Sequence, residues 1–128
     1  MKQQEETKQI LIVDDEANIA MVLAACAIRL GRCEVDVAYS GQQALTAFQQ
    51  HTYHLVITDY RMPDMSGLEL AKAIRSLDSQ VPIVLMTAYD TIDLREEAAR
   101  LPVNDYLEKP ISIAKVQEII GRVLTGTT

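Results

Sequence analysis

Short apolar runs alternate with helix-length periodic segments five times along this chain, and that alternation restricts the fold more than any other feature. The runs are QILIV (residues 9–13), EVDVA (34–38), LVIT (55–58), PIVLMT (82–87) and DYLE (105–108). After the first, Ile19, Val22, Leu23, Cys26 and Leu30 follow the spacing of one helical face. Ser40 with Gln43, and Ser66 with Glu69, carry the spacing of a capping box and predict two further helix starts. TIDLREEAARL (91–101) predicts a fourth helix with a thin apolar stripe, capped by Asp90 or Thr91. SIAKVQEIIGRVL (112–124) predicts a fifth, with Val116, Ile119, Ile120, Val123 and Leu124 on one face and Gly126 at its end.

The first, third and fourth runs are apolar on both faces, which places them inside a sheet covered by helices on both sides. The second alternates, Val35 and Val37 against Glu34 and Asp36, as an edge strand does. Repeated strand–helix units close by right-handed crossovers. The expected fold is therefore α/β: a doubly wound, five-stranded parallel sheet of order 2-1-3-4-5, flavodoxin-like. A length of 128 residues suits one such core and is too short for two. The expected organisation is a flexible segment over 1–8, one domain over 9–124, and a tail or linker start over 125–128.

Charge and composition exclude several classes. The net charge of −6 leaves no basic stripe for nucleic acid. No apolar run approaches the ~20 residues of a membrane span. MKQQEETK lacks the apolar stretch of a signal peptide, so a cytoplasmic location is expected. Cys26 falls on the buried helical stripe and Cys33 in a loop; two isolated thiols do not make a disulfide framework. His51 and His54 have metal-like spacing, but no third ligand joins them and they read as surface residues. Arg95, Glu96 and Glu97 read as a solvated helix face. Neither a dinucleotide nor a P-loop glycine motif occurs.

The topology brings the residues after each strand to one edge of the sheet. These are Asp14, Asp15 and Glu16 after the first strand, Asp59 after the third, Thr87 then Ala88 after the fourth, and Lys109-Pro110 after the fifth. Singly, each has an ordinary reading, an acid as a helix cap or a lysine at the surface. Together, clustered carboxylates raise one another's pKa unless a cation sits among them. Hard oxygen ligands of this kind suit Mg²⁺. Screened by the ion, one carboxylate becomes a nucleophile toward a phosphoryl group, with the ammonium and the hydroxyl available to the transferring oxygens.

Four segments in register, ILIVDDE, LVITDYRMPDMSGLEL, PIVLMTAY and DYLEKP, resemble the receiver domain of bacterial two-component response regulators. The resemblance runs from about Gln9 to Leu124. It implies a signalling switch in which Asp59 accepts a phosphoryl group from a sensor histidine kinase or phosphotransfer protein. Asp14, Asp15, Asp59 and the backbone carbonyl of Arg61 would bind Mg²⁺, and Thr87 and Lys109 would contact the phosphoryl oxygens. Thr87 and Tyr106 would form the switch, acting on the surface of the fourth helix, fifth strand and fifth helix to control an output domain or partner. Lys109-Pro110 would be a cis peptide, and the domain a monomer or a weak phosphorylation-dependent dimer. Its only catalysis would be its own phosphorylation and dephosphorylation. Arg61 and Tyr89, two residues beyond Asp59 and Thr87, would crowd the path of hydrolytic water. Leu101, Pro102 and Val103 depart from the family's usual Gly-Ala before the last strand. Two other readings stand beside this one, a receiver-like binding module regulated without phosphate and an Asp-nucleophile phosphatase. The known phosphatases of that kind need an acid where this chain has Arg61.

Overall fold

Leu11 shows why the central strands are apolar on both sides: it packs under one helical layer while its neighbours Ile10 and Ile12 pack under the other. The computed structural model describes residues 7–87 and 103–125. Their strands form a single parallel sheet in the order β2-β1-β3-β4-β5: β1 (Lys8–Val13), β2 (Cys33–Ala38), β3 (Leu55–Asp59), β4 (Ile83–Thr87) and β5 (Asp105–Glu108). β1 is held on both sides, with Ile12 opposite Val37 in β2 and opposite Ile57 in β3.

Four helices are described: α1 (Ala17–Leu30), α2 (Gly41–Gln50), α3 (Gly67–Leu77) and a C-terminal α4 (Ile113–Thr125). α1 and α4 cover one face, where Leu23 and Ala27 meet Val116, Ile119 and Ile120 over Ile10, Ile12 and Ile57. α2 and α3 cover the other, where Ala44, Phe48, Leu70 and Ile74 pack over Leu11, Val13 and Val56. Each such large side chain taken fully out of water contributes roughly 1.5–3 kcal/mol. Two cores on one sheet make the strands rigid, and their ends are fixed points.

Several details differ from the sequence reading. Val22 and Leu30 lie outward on α1, Val22 with 49% of its surface exposed. The expected Leu23 and Cys26 are buried, and Ala20 and Ala27 join them on the sheet-facing side in place of Val22 and Leu30. Only Asn18 and Arg29 interrupt an otherwise apolar α1, so side-chain polarity gave little to orient it. At α2 the Ser40 hydroxyl accepts from the Gln43 amide, but the Gln43 side chain accepts from the amide of Tyr39 and the box is left unclosed. At α3 the Ser66–Glu69 box closes in both directions. Cys33 starts β2 and is half-buried against the α1 side of the core. The expected helix over 91–101, with Asp90, Thr91 and the Arg95–Glu97 face, lies outside the described residues. So do Ala88, Tyr89, Leu101, Pro102 and Gly126.

Candidate functional site

β1 and β3 are neighbours, so Asp14, just past the end of β1, and Asp59, the last residue of β3, meet at one edge. Asp14 is fully buried and Asp59 nearly so, whereas Asp15 is exposed. Carboxylate oxygens of Asp14, Asp15 and Asp59 all lie within 4.8 Å of one another. Neither Asp14 nor Asp15 caps α1; Glu16 stands at the cap position and makes no side-chain capping bond. Asp14 uses one oxygen, Oδ1, to accept from the Glu16 amide at 2.9 Å. Its other oxygen, Oδ2, is buried with no hydrogen-bond partner. A buried carboxylate oxygen with no hydrogen bond costs free energy, which only a nearby cation offsets.

Lys109 enters from the end of β5, where its amide donates to the Thr87 carbonyl at 2.8 Å. Its Nζ lies 3.1 Å from Asp59 Oδ1, 3.5 Å from Glu16 Oε1 and 3.6 Å from Asp14 Oδ2. One ammonium therefore faces three carboxylates, and the charges do not balance. Burial, and then the nearby Asp59 charge, push the Asp14 carboxyl up to about 6, against the pull of the Glu16 amide and Lys109. Burial also raises Asp59, with the Lys109 ammonium opposing. For Lys109, burial favours the neutral amine, but the acids around it prevail and hold its pKa above the ordinary lysine value. The Lys109–Pro110 peptide bond is cis.

Thr87 ends β4 and is buried. Tyr106, on β5, is half-buried against the Leu68–Leu85 cluster, and both residues line one cleft together with Pro110 and Lys115.

The loop after Asp59 is tied down along its length. The Tyr60 amide donates to the Met86 carbonyl at 2.8 Å, and the Tyr60 carbonyl accepts from the Gly67 amide at 2.7 Å. Gly67 has to be glycine, because a Cβ there would collide with the Asp59 carbonyl oxygen and the Leu85 side chain. Arg61 sits exposed on the loop between Asp59 and Pro63. Further on, Asp64 reaches across to α2, its Oδ1 accepting from the Gly41 amide at 3.0 Å and its Oδ2 from the Gln42 amide at 2.9 Å. Those two amides hold the Asp64 carboxyl below the usual carboxylate range. Sequence reasoning passed over Asp64. An acid in a loop gives no sign of which helix it caps, and these partners lie 23 and 22 positions away.

The two histidines are far from the acids. His51 follows α2, exposed, with its ring edge-on to Tyr53. His54 is half-buried and structural, its Nδ1 accepting from the Gln9 amide at 3.0 Å. The residues expected to act together, Asp14, Asp15, Asp59 and Lys109, are brought together, with Thr87 joined to Lys109 through the backbone. The donor set fits a hard cation: several carboxylate oxygens, one of them buried and accepting no hydrogen bond.

The sequence matches the family model described as "Response regulator receiver domain" over residues 10–121. It is 35% identical over 118 residues to the transcriptional regulatory protein ZraR of Salmonella typhimurium, covering 92% of this chain and 26% of that protein. It is 37% identical over 116 residues to the regulatory protein AtoC of Escherichia coli, covering 91% of this chain and 25% of that protein. The chain thus spans about a quarter of the length of these relatives. Among solved structures, a CheY-like response regulator receiver domain protein from Methanospirillum hungatei superposes with a TM-score of 0.88 at 25% identity, covering 94% of this chain and 96% of that one. The response regulator protein TrrA from Thermotoga maritima, solved in complex with Mg(2+)-BeF, superposes with a TM-score of 0.81 at 35% identity, covering 91% of this chain and 98% of that one. Among the described residues, no helix is long and apolar enough to cross a membrane.

Proposed function

We propose a function from one premise: this chain belongs to the receiver domain family of two-component response regulators. Asp59 is the phosphoacceptor. One of its carboxylate oxygens attacks the phosphorus of a phosphohistidine on a sensor kinase or phosphotransfer protein. An O–P bond forms, the N–P bond breaks, and the imidazole leaves with the bonding pair and is then protonated. Asp14, Asp15, Asp59 and the Arg61 carbonyl are the residues that would hold Mg²⁺, which when bound supplies positive charge to the phosphoryl oxygens. Lys109, already 3.1 Å from Asp59, balances charge on the new acyl phosphate, and Thr87 donates its hydroxyl to another oxygen.

The observation that carries this reading is the unbalanced acid cluster, three carboxylates around one ammonium, with the buried Oδ2 of Asp14 accepting no hydrogen bond beside a nucleophile on a rigid strand end. A protein that only needed a stable sheet edge would not retain it. Phosphorylation adds roughly −1.5 to −2 charge, by analogy with other phosphorylated side chains, and draws Thr87 toward it. Tyr106 then moves into the space Thr87 leaves, changing the face of β5 and α4 that meets an output domain or partner. Hydrolysis of the acyl phosphate resets the switch, slowed by the long side chain of Arg61.

Incubation with acetyl phosphate and Mg²⁺ followed by peptide mass spectrometry tests the assignment. One added phosphoryl group on Asp59 is expected. None would favour a binding module regulated without phosphate, and sustained turnover of a generic phosphate ester would favour a phosphatase. A beryllofluoride complex in which Tyr106 stays as it is here would break the coupling to Thr87.

A further inference from the structure

The three amides at the N-terminus of α2 have no partners within the helix, and two separate side chains share them. Ser40, adjacent in sequence, takes the Gln43 amide at 3.1 Å. Asp64, from the loop after Asp59, takes the Gly41 and Gln42 amides, one on each carboxylate oxygen. A negative charge at a helix N-terminus is favourable in itself. Here it also couples a loop to a helix that the loop does not adjoin in sequence. Met65 strengthens the coupling: its side chain lies where a Cβ on residue 41 would be, so Gly41 makes room for it, and it packs with Met62 against the α2–α3 core.

Between Asp59 and this anchor the backbone has little freedom. The Tyr60 amide and carbonyl are both engaged, by Met86 and Gly67. The short segment from Arg61 to Pro63 thus lies between two anchored points, and Pro63 restricts its own φ. We infer that Asp64 is a positioning residue: its paired hydrogen bonds to Gly41 and Gln42 set the loop so that the Arg61 carbonyl faces the ion held by Asp14, Asp15 and Asp59. This rests on the reading above that the Arg61 carbonyl is a ligand. Asp64 touches neither ion nor phosphoryl group and acts through the backbone. Residues that orient a ligand in this way typically change metal affinity by an order of magnitude or more when removed.

Ser40 provides the control, since its hydroxyl caps the same helix end from the residue next to it in sequence, through the Gln43 amide. Mg²⁺ affinity of the whole chain is measured by isothermal titration for wild type, Asp64→Ala, Asp64→Asn and Ser40→Ala, with the unfolding midpoint of each recorded alongside. Both alanine variants should lose some stability through the lost cap. Asp64→Ala should bind Mg²⁺ roughly tenfold more weakly, Asp64→Asn, which keeps one acceptor, should fall between, and Ser40→Ala should stay within about twofold of wild type. Unchanged affinity in Asp64→Ala overturns the inference. Equal weakening in Ser40→Ala also overturns it, by showing that α2 capping alone is at work. Asp59→Asn in the same series separates the two levels: wild-type affinity there would remove the ion from this cluster and take the reading of the site down with the inference.

Discussion

The two ends of the sheet treat polar groups in opposite ways. At the amino edge Asn104 both donates its amide to the Ile83 carbonyl and accepts the Ile83 amide on Oδ1, at 2.8 Å each. The same Oδ1 takes a guanidinium hydrogen of Arg75, whose other branch donates to the carbonyls of Val81 and Asp78. Gln9 and His54 exchange two bonds between β1 and the start of β3. At the carboxyl edge, by contrast, Asp14 keeps a buried oxygen with no hydrogen bond, and it shares one lysine with two neighbouring acids. The first arrangement is what stability selects, since buried polar groups are normally satisfied. The second persists against its own electrostatic cost, and residues of that kind are where chemistry is expected.

The sharpest way to test this contrast is to neutralise the central acid. Asp59→Asn should abolish phosphoryl uptake from acetyl phosphate, scored on a phosphate-affinity gel, while the unfolding midpoint in urea stays level or rises. It removes one of several repelling charges whose ionisation burial already disfavours. A large loss of stability in that variant would mean that the carboxyl edge is structural after all.

Next in size is the response to the ion itself. Mg²⁺ at about 100 times its dissociation constant should stabilise the protein by roughly 2.7 kcal/mol, and the gain should be largely lost in Asp14→Asn and Asp15→Asn. Thermal melts with and without Mg²⁺ give the answer. The matching change at the amino edge, Asn104→Ala, should destabilise by about 1–2 kcal/mol with or without Mg²⁺, because it strands the Ile83 amide and an Arg75 branch. Phosphoryl uptake by that variant should remain within about twofold of wild type.

The smallest effect is one of pH. The Asp14 carboxyl titrates near 6 in the folded protein, above its value in an unfolded chain, so between those values the folded state holds a proton that the unfolded state has released. Its contribution is fully present below about pH 4 and is lost as the pH rises through about 6. Without Mg²⁺ the protein should therefore be about 1 kcal/mol more stable at pH 5 than at pH 7. Asp59, raised for the same reason, adds a slope of the same sign. Asp14→Asn should flatten most of this slope in urea titrations, and a wild-type stability that rises across this range would place the dominant titration elsewhere.

Much of this contrast was legible in the chain before any coordinates. Strand order follows from apolar runs and crossover handedness, and the order alone carries Asp14, Asp59, Thr87 and Lys109 to a common edge. What stayed hidden acts across the fold. Val22 and Leu30 look like core by size, yet α1 buries Ala20 and Ala27 beside the expected Leu23 and Cys26, and in a helix apolar nearly all round, periodicity does not separate the two faces. Gly67 reads as a helix start, while its tighter constraint is the Asp59 carbonyl beside it. Asp64 and Asn104 each satisfy backbone groups more than 20 positions away, and nothing in their local sequence names the partner.

The acids and the lysine are mounted on parts of the sheet with unequal mechanical support. β1 and β3 are inner strands, hydrogen-bonded on both sides, whereas β5 is four residues long and, among the described strands, joined to β4 alone. Native proteins open in sub-global units, and short edge elements exchange their amide hydrogens sooner than interior ones. An opening of β5 would withdraw Lys109, the residue that follows it, and leave the carboxylates in place, momentarily more negative. The electrostatic balance of the cluster would then follow the breathing of the last strand, and slow exchange at Leu107 would mark a lysine that rarely leaves.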